Sequence, residues 1–339
     1  MVEAGVEGRS RAGAPVGSGM AFYLAILAAT ALLQLAAVVG FAATHYFVSH
    51  SGYAFDAIAE QKATVSGQDA DVLFVGSSAV ATGVDPAVIQ SETGLSAFNL
   101  GVTASAFAYD PDFLVDRYLA RNKQPRIIVF YLTPTISLRD PAIPMYEAAG
   151  MILRHGSWRE TAGLFLPSPW RLLEFAHQVL AVALDSDWND AKYRAVIGLL
   201  QAHAGFVPMD DTPGAAKAYG WAKDYTAFCA ARSPRHPPDA DEIRHFRQKY
   251  TRPGTAVLIF VAPLADCDKS ANYYAGQYAG VADNLLHTLP HDLFVPDAWR
   301  VHLKKQGAEL NSRIVGEWLL ERAWSAGILG FAKPGAAEK

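Results

Sequence analysis

Residues 12 to 55 contain no Asp, Glu, Lys or Arg, and within them Met20 to Ala43 is apolar except for Thr30 and Gln34. A run of this kind matches the roughly 20 residues that carry a helix across a bilayer. The sequence therefore predicts a transmembrane helix over 20–43, preceded by a disordered Gly- and Ala-rich tail over 1–19. The competing reading is a signal peptide cut near the small residues Gly40 and Ala42. It fits less well, because the apolar core far exceeds the roughly 7 to 15 residues of a signal h-region. Arg9 and Arg11 lie before the span and the first cation after it is Lys62. The positive-inside rule then places the tail in the cytoplasm and everything after about Thr44 outside, so the expected location is the plasma (inner) membrane, single-pass, with a periplasmic or extracellular domain.

The 339-residue chain leaves about 295 residues beyond the span, enough for one large or two modest domains. With 29 basic and 33 acidic side chains it is weakly acidic, which argues against a nucleic-acid partner, since that would need a basic face. The two cysteines, Cys229 and Cys267, are either joined in a disulfide, as an oxidising compartment permits, or buried separately as thiols. Two isolated cysteines lack the paired spacing of a metal site, and no Gly-x-Gly-x-x-Gly, Walker lysine, His-Glu-x-x-His or Gly-x-Ser-x-Gly motif is present. Neither metal nor cofactor is expected.

Beyond a juxtamembrane stalk expected over 44–70, an α/β pattern sets in. Strands are predicted at 71–76, 97–100 and 126–132, with helices near 85–92 and 110–121, the latter opened by Asp110-Pro111. The run Arg126 to Leu132 is continuously apolar, as in a parallel strand buried on both faces. From about 135 to 250 the alternation gives way to a helical insertion. It includes the almost uniformly apolar Trp170 to Leu184 and carries Trp158, Trp170, Trp188 and Trp221. Such a helix is buried in the core, against a partner or against lipid. The alternation resumes with a strand at 256–263, a helix around 270–289, a short strand at 293–295 and a helix over about 303–324, followed by a disordered tail over 326–339. Five strands interleaved with helices predict a doubly wound parallel sheet spanning 71–325.

Two positions on this plan carry chemistry. Asp71-Val72-Leu73-Phe74-Val75-Gly76-Ser77-Ser78 is a strand that ends in a small-residue turn, which puts the Ser78 hydroxyl at the carboxyl edge of the sheet, where open α/β folds build their sites. His302 lies on the last strand-to-helix connection, at the same expected edge. The nearest carboxylate, Asp297, is five residues ahead of it and reaches it only if the intervening loop bends.

The Gly76-Ser77-Ser78 block, Asn99-Leu100-Gly101 at the end of the second strand, and His302 before the last helix together resemble the SGNH, or GDSL-like, hydrolase superfamily. The resemblance covers roughly 71–133 and 255–320. It is greatest to the membrane-anchored members: the D-alanyl-lipoteichoic-acid biosynthesis proteins and the acyltransferases of exopolysaccharides such as alginate and cellulose. It implies a flavodoxin-like fold, Ser78 as nucleophile, His302 as general base, and an oxyanion hole built from Gly101 and the Ser78 amide, with Asn99, Thr133 or Thr135 as the further donor; Asp297 is the nearest candidate for the orienting carboxylate. The sequence departs from the pattern at two places. Leu132-Thr133-Pro134-Thr135 stands where the superfamily offers an Asn, and Trp299 stands three residues before the histidine, where it offers an Asp.

The resemblance implies an extracytoplasmic O-acyltransferase, acting on a cell-surface or secreted polysaccharide and supplied through a membrane-bound O-acyltransferase or another polysaccharide-biosynthesis subunit. The anchor and the 170–184 helix are the candidate docking surfaces. A carbohydrate esterase and a non-catalytic SGNH-like subunit of such a complex are the alternatives.

Overall fold

The computed structural model describes residues 17–135, 138, 146–212, 225–226, 228–230, 240–284, 286–297 and 300–325. Most of the expected N-terminal tail, the C-terminal tail, Trp221 and Trp299 lie outside the described residues. The chain is a mixed α/β protein with a four-stranded parallel sheet in the order β2-β1-β3-β4, formed by β1 (Val72–Gly76), β2 (Ala97–Asn99), β3 (Ile127–Leu132) and β4 (Ala256–Val261).

Side-chain alternation along these strands builds two separate cores, because successive residues point to opposite faces. Leu73, Val75, Ile128, Phe130, Ile259 and Val261 enter one apolar cluster; Val72, Phe74, Val129, Tyr131, Leu258 and Phe260 enter the other. On the second face lie α4 (Ser78–Gly83), α5 (Pro86–Thr93) and the last helix, α14 (Lys305–Ser325). On the first lie α6 (Ala104–Tyr109), α7 (Pro111–Arg121) and α12 (Ala240–Tyr250). The insertion adds α8 (Tyr146–His155), α9 (Trp158–Phe165), α10 (Pro169–Asp185) and α11 (Asp190–Ala202).

The expected fifth strand is absent from the sheet. Leu293 ends a single 3-10 turn, and Phe294 forms only an isolated antiparallel bridge to Leu303. The place beside β4 is already filled. The Asp283 carboxylate accepts from the Ile259 amide and the Asn284 side chain accepts from the Val261 amide, each at 2.7 Å. Side chains thus blunt the outer edge of β4, one way that folds close an exposed strand. The helix expected over 270–289 is correspondingly short. It runs only from Ala271 to Tyr278 (α13), and Gly280 turns the chain in the left-handed region. Two two-residue strands, β5 (Leu264–Ala265) and β6 (Thr288–Leu289), pair in parallel beyond it.

At the N-terminus, α1 (Gly17–Ala42) is long and apolar enough over Gly19–Ala42 to cross a membrane, and none of its most apolar stretch is buried by the protein. The segment expected as a stalk is instead part of the folded domain. It forms α2 (His45–His50) and α3 (Ala54–Thr64), and most of α3 is buried against α7, α8 and α11. The reason is its apolar content: Phe47, Val48, Ala57, Ile58, Ala59 and Ala63 are core residues. Arg154 of α8 joins α1 to this layer. Its Nη1 donates to the Ala42 carbonyl and its Nε to Glu60, each at 3.1 Å, and Nη2 lies 3.7 Å from Asp56. A guanidinium on the last carbonyls of a helix offsets both the unpaired acceptors and the negative end of the helix dipole. Burial is the main cause that raises the Asp56 carboxyl to about 6, against the opposing pull of Arg154.

Candidate active site

β1 ends in Gly76, where a Cβ would run into the carbonyl of Tyr131 on β3, so only glycine lets the strand close here. Ser77 follows as the N-cap of α4. Its hydroxyl accepts from the Ala79 amide at 3.3 Å and shares a 2.6 Å hydrogen bond with Thr133 at the end of β3. Two strand ends are thereby tied together under the turn. Ser78 then opens α4, its side chain at the carboxyl edge of the sheet and only 6% exposed.

His302 comes to the same point from the far end of the chain. Its Nε2 lies 2.8 Å from Ser78 Oγ, and its Nδ1 is hydrogen-bonded to Asp297 Oδ2. All three side chains are buried. Asp297 and His302 are five residues apart in sequence and meet directly. The Val295 amide donates to the His302 carbonyl at 2.9 Å, closing the loop at its base. Arg300 turns it with a φ of +60°, a conformation uncommon for a residue with a side chain. The Arg300 amide donates to Asp297 Oδ1 at 2.7 Å, which leaves Oδ2 facing the imidazole. A carboxylate on Nδ1 selects the tautomer whose Nε2 can accept the serine proton, and stabilises the imidazolium that results.

Arg300 itself is held from outside the loop. Its guanidinium donates to the Ala230 carbonyl at 2.7 Å and lies over the Phe228 ring. The segment that supplies both contacts is fastened by the Cys229–Cys267 disulfide, whose Cα atoms are 5.4 Å apart. Of the two readings of the cysteines, the bonded one holds. Asp266, Cys267 and His291 also approach one another closely, but Cys267 is spent in the disulfide and offers no thiolate ligand.

Comparisons with protein-family models, with curated proteins and with solved structures find no match. The geometry of the site is therefore the whole basis for its chemistry.

The residues expected to hold an oxyanion are arranged otherwise than their types alone suggest. The Gly101 amide donates to Asn99 Oδ1 at 2.9 Å, and Asn99 Nδ2 donates to the carbonyls of Val80 and Val84, each at 2.7 Å. Asn99 thus clasps the β2 loop to α4. Gly101 permits the close approach, since a Cβ there would strike Ala81 and Val80. The Ser78 amide stands at the first position of α4, where no intrahelical carbonyl is available to it. Behind Asn99 sits Lys62, fully buried, its ammonium donating to the carbonyls of Asn99 and Gly205. Burial pushes its pKa well down. Lys62 and Arg300 were not legible as site neighbours: one is a lone lysine on a segment that reads as a stalk, the other an arginine whose backbone conformation leaves no mark in sequence.

Proposed function

We propose that this chain is a membrane-anchored O-acyltransferase with an SGNH-like, flavodoxin-like core, which transfers an acyl group, most simply acetyl, to a hydroxyl of a cell-surface or secreted polysaccharide. The observation that carries this reading is the 2.8 Å contact between Ser78 Oγ and His302 Nε2, on an imidazole whose other nitrogen is bonded to buried Asp297. A nucleophile within hydrogen-bond reach of a base, itself oriented by a third group, is the arrangement that activates a hydroxyl.

Ser78 Oγ attacks the carbonyl carbon of the acyl donor while its proton passes to His302 Nε2, and the donor's leaving oxygen or sulfur departs with that proton. An acceptor hydroxyl then attacks the Ser78 ester and gives its proton to His302. That proton returns to Ser78 Oγ as the acylated product leaves. The Ser78 amide holds the oxyanion in both steps, and Gly101 contributes only after releasing Asn99.

The disulfide and the apolar α1 support an oxidising, extracytoplasmic site. Acyl-CoA is not available there, so a membrane-bound O-acyltransferase or another subunit of a polysaccharide-biosynthesis complex passes the donor through the bilayer. In cells that make the polymer, Ser78→Ala is expected to leave it unacylated while the chain stays in the membrane at normal level. Full acylation by that variant would put a non-catalytic subunit in place of this reading. Rapid release of free acid from an aryl acetate by the purified chain, without transfer to added polysaccharide, would make it an esterase.

A further inference from the structure

Helix α10 has two apolar faces, and only one is used by the protein. Phe175 and Val179 are buried in the same cluster that Val38, Val39 and Phe41 of α1 pack against, and α1 and α10 lie against one another. On the opposite side Trp170, Leu173, Leu180 and Leu184 form a stripe at helical spacing, between 47% and 87% exposed. Trp158 of α9 and Leu166 at its end are exposed to a similar degree.

We infer that this stripe lies in the outer interfacial layer of the bilayer, so that the α9–α10 pair is a second, in-plane membrane contact whose occupant is lipid. The inference rests on α1 being the anchor. The apolar window of α1, Gly19–Ala42, is 24 residues, about 36 Å long at ~1.5 Å per residue, against a hydrocarbon core of about 30 Å. Its last turn therefore emerges into the interface, and that is where Val38, Val39 and Phe41 meet the cluster of α10. The stripe is thus continuous with the surface of α1 that lipid covers. Tryptophan at the rim of an apolar face suits the headgroup boundary, and Trp158 and Trp170 are the two exposed ones among the described residues. Arg159 and Arg171 are outnumbered by Glu160, Glu174 and Asp185 across the two helices. Apolar burial rather than attraction to anionic lipid must then hold the pair down, which separates it from a basic amphipathic anchor.

The test uses the full chain in phosphatidylcholine vesicles, with nitroxide labels on Leu173→Cys, Leu180→Cys and Leu184→Cys, the native cysteines being joined to each other. Leu27→Cys on α1 serves as the lipid reference and Ser91→Cys on α5 as the water reference. The stripe labels should collide with dissolved oxygen several-fold more than with a water-soluble nickel chelate, as Leu27 does, and should do so equally when phosphatidylglycerol replaces half of the phosphatidylcholine. Labels that behave like Ser91 overturn the inference. Labels shielded from both reagents also overturn it, and mark the stripe as a contact between copies of the chain. If Leu27 itself is open to nickel, the anchor reading fails and the inference falls with it.

Discussion

The carboxyl edge of the sheet and the helical layer both contribute apolar residues to the core, yet they differ in what they leave at the surface. At the sheet edge the polar side chains around Ser78 are matched to specific partners: Ser77 to Thr133, Asn99 to Gly101 and α4, Asp297 to Arg300 and His302. In the helical layer, α10 buries Phe175 and Val179 and leaves Leu173 and Leu180 each 47% exposed. The contrast teaches that apolar content alone does not say how much of a helix is core. At the edge, many directional bonds fix one geometry. In the layer a non-directional surface suffices, and the chain leaves it open.

That contrast breaks first if the polar edge is dispensable. Ser78→Ala and His302→Ala are each expected to reduce acyl transfer on the order of 10³-fold or more, since members of such a unit fail together. Acylated polymer measured against chain content checks this. Asp297→Asn is expected to cost up to about 10⁴-fold in kcat, because an amide in place of the carboxylate favours the wrong imidazole tautomer. Had the loop been straight, its loss would have mattered little; the bend at Arg300 makes the contact.

Removing the disulfide with Cys229→Ala and Cys267→Ala tests whether the edge depends on its outer support. Cross-linking across a separation of 38 residues is worth roughly 4 kcal/mol in the loop-entropy model. The double variant should melt earlier in detergent and lose activity before it loses helicity. On the layer side, Phe175→Ala is expected to cost about 3–5 kcal/mol as a cavity in the core, whereas Leu173→Asp on the same helix should change stability by roughly 0.5 kcal/mol or less, both measured by denaturant unfolding of the full chain in detergent. Comparable losses for the two would erase the distinction between the faces of α10.

The smallest effect concerns pH. Asp56, with a carboxyl raised from 3.8 to about 6, holds its proton more tightly folded than unfolded. Its contribution to stability is present in full below pH 3.8 and is lost as pH rises through about 6. Asp56→Asn should flatten the slope of stability against pH in that window, measured by denaturant midpoints.

Much of the edge was legible because its signals are local. A strand followed by Gly76-Ser77-Ser78, and a histidine on the last connection, mark one side of a parallel sheet without any knowledge of contacts. What escaped was non-local. Nothing in Leu293 to Val295 reveals that Asp283 and Asn284 already occupy the edge of β4, and nothing in the charge pattern around Lys62 reveals that its ammonium is consumed by two carbonyls. The stalk expected over 44–70 differs from the structure for a related reason: Phe47, Val48 and Ile58 are spaced for packing, but their partners lie a hundred residues away in α8 and α11.

Only Ala43 and Thr44 separate the last residue of α1 from the first of α2, and Arg154 clasps Ala42 from the other side. A free tether of the 27 residues between 44 and 70 would have let the domain wander about 30 Å from its root. If α1 crosses the bilayer, a mast stepped this firmly keeps Ser78 at one altitude relative to it, and the domain patrols a flat disc as the helix diffuses. Under the proposed acyl transfer, a growing polymer would be modified only where it passes through that plane, with the spacing of acyl groups set by the rate at which the strand is paid out and not by how far the protein can reach.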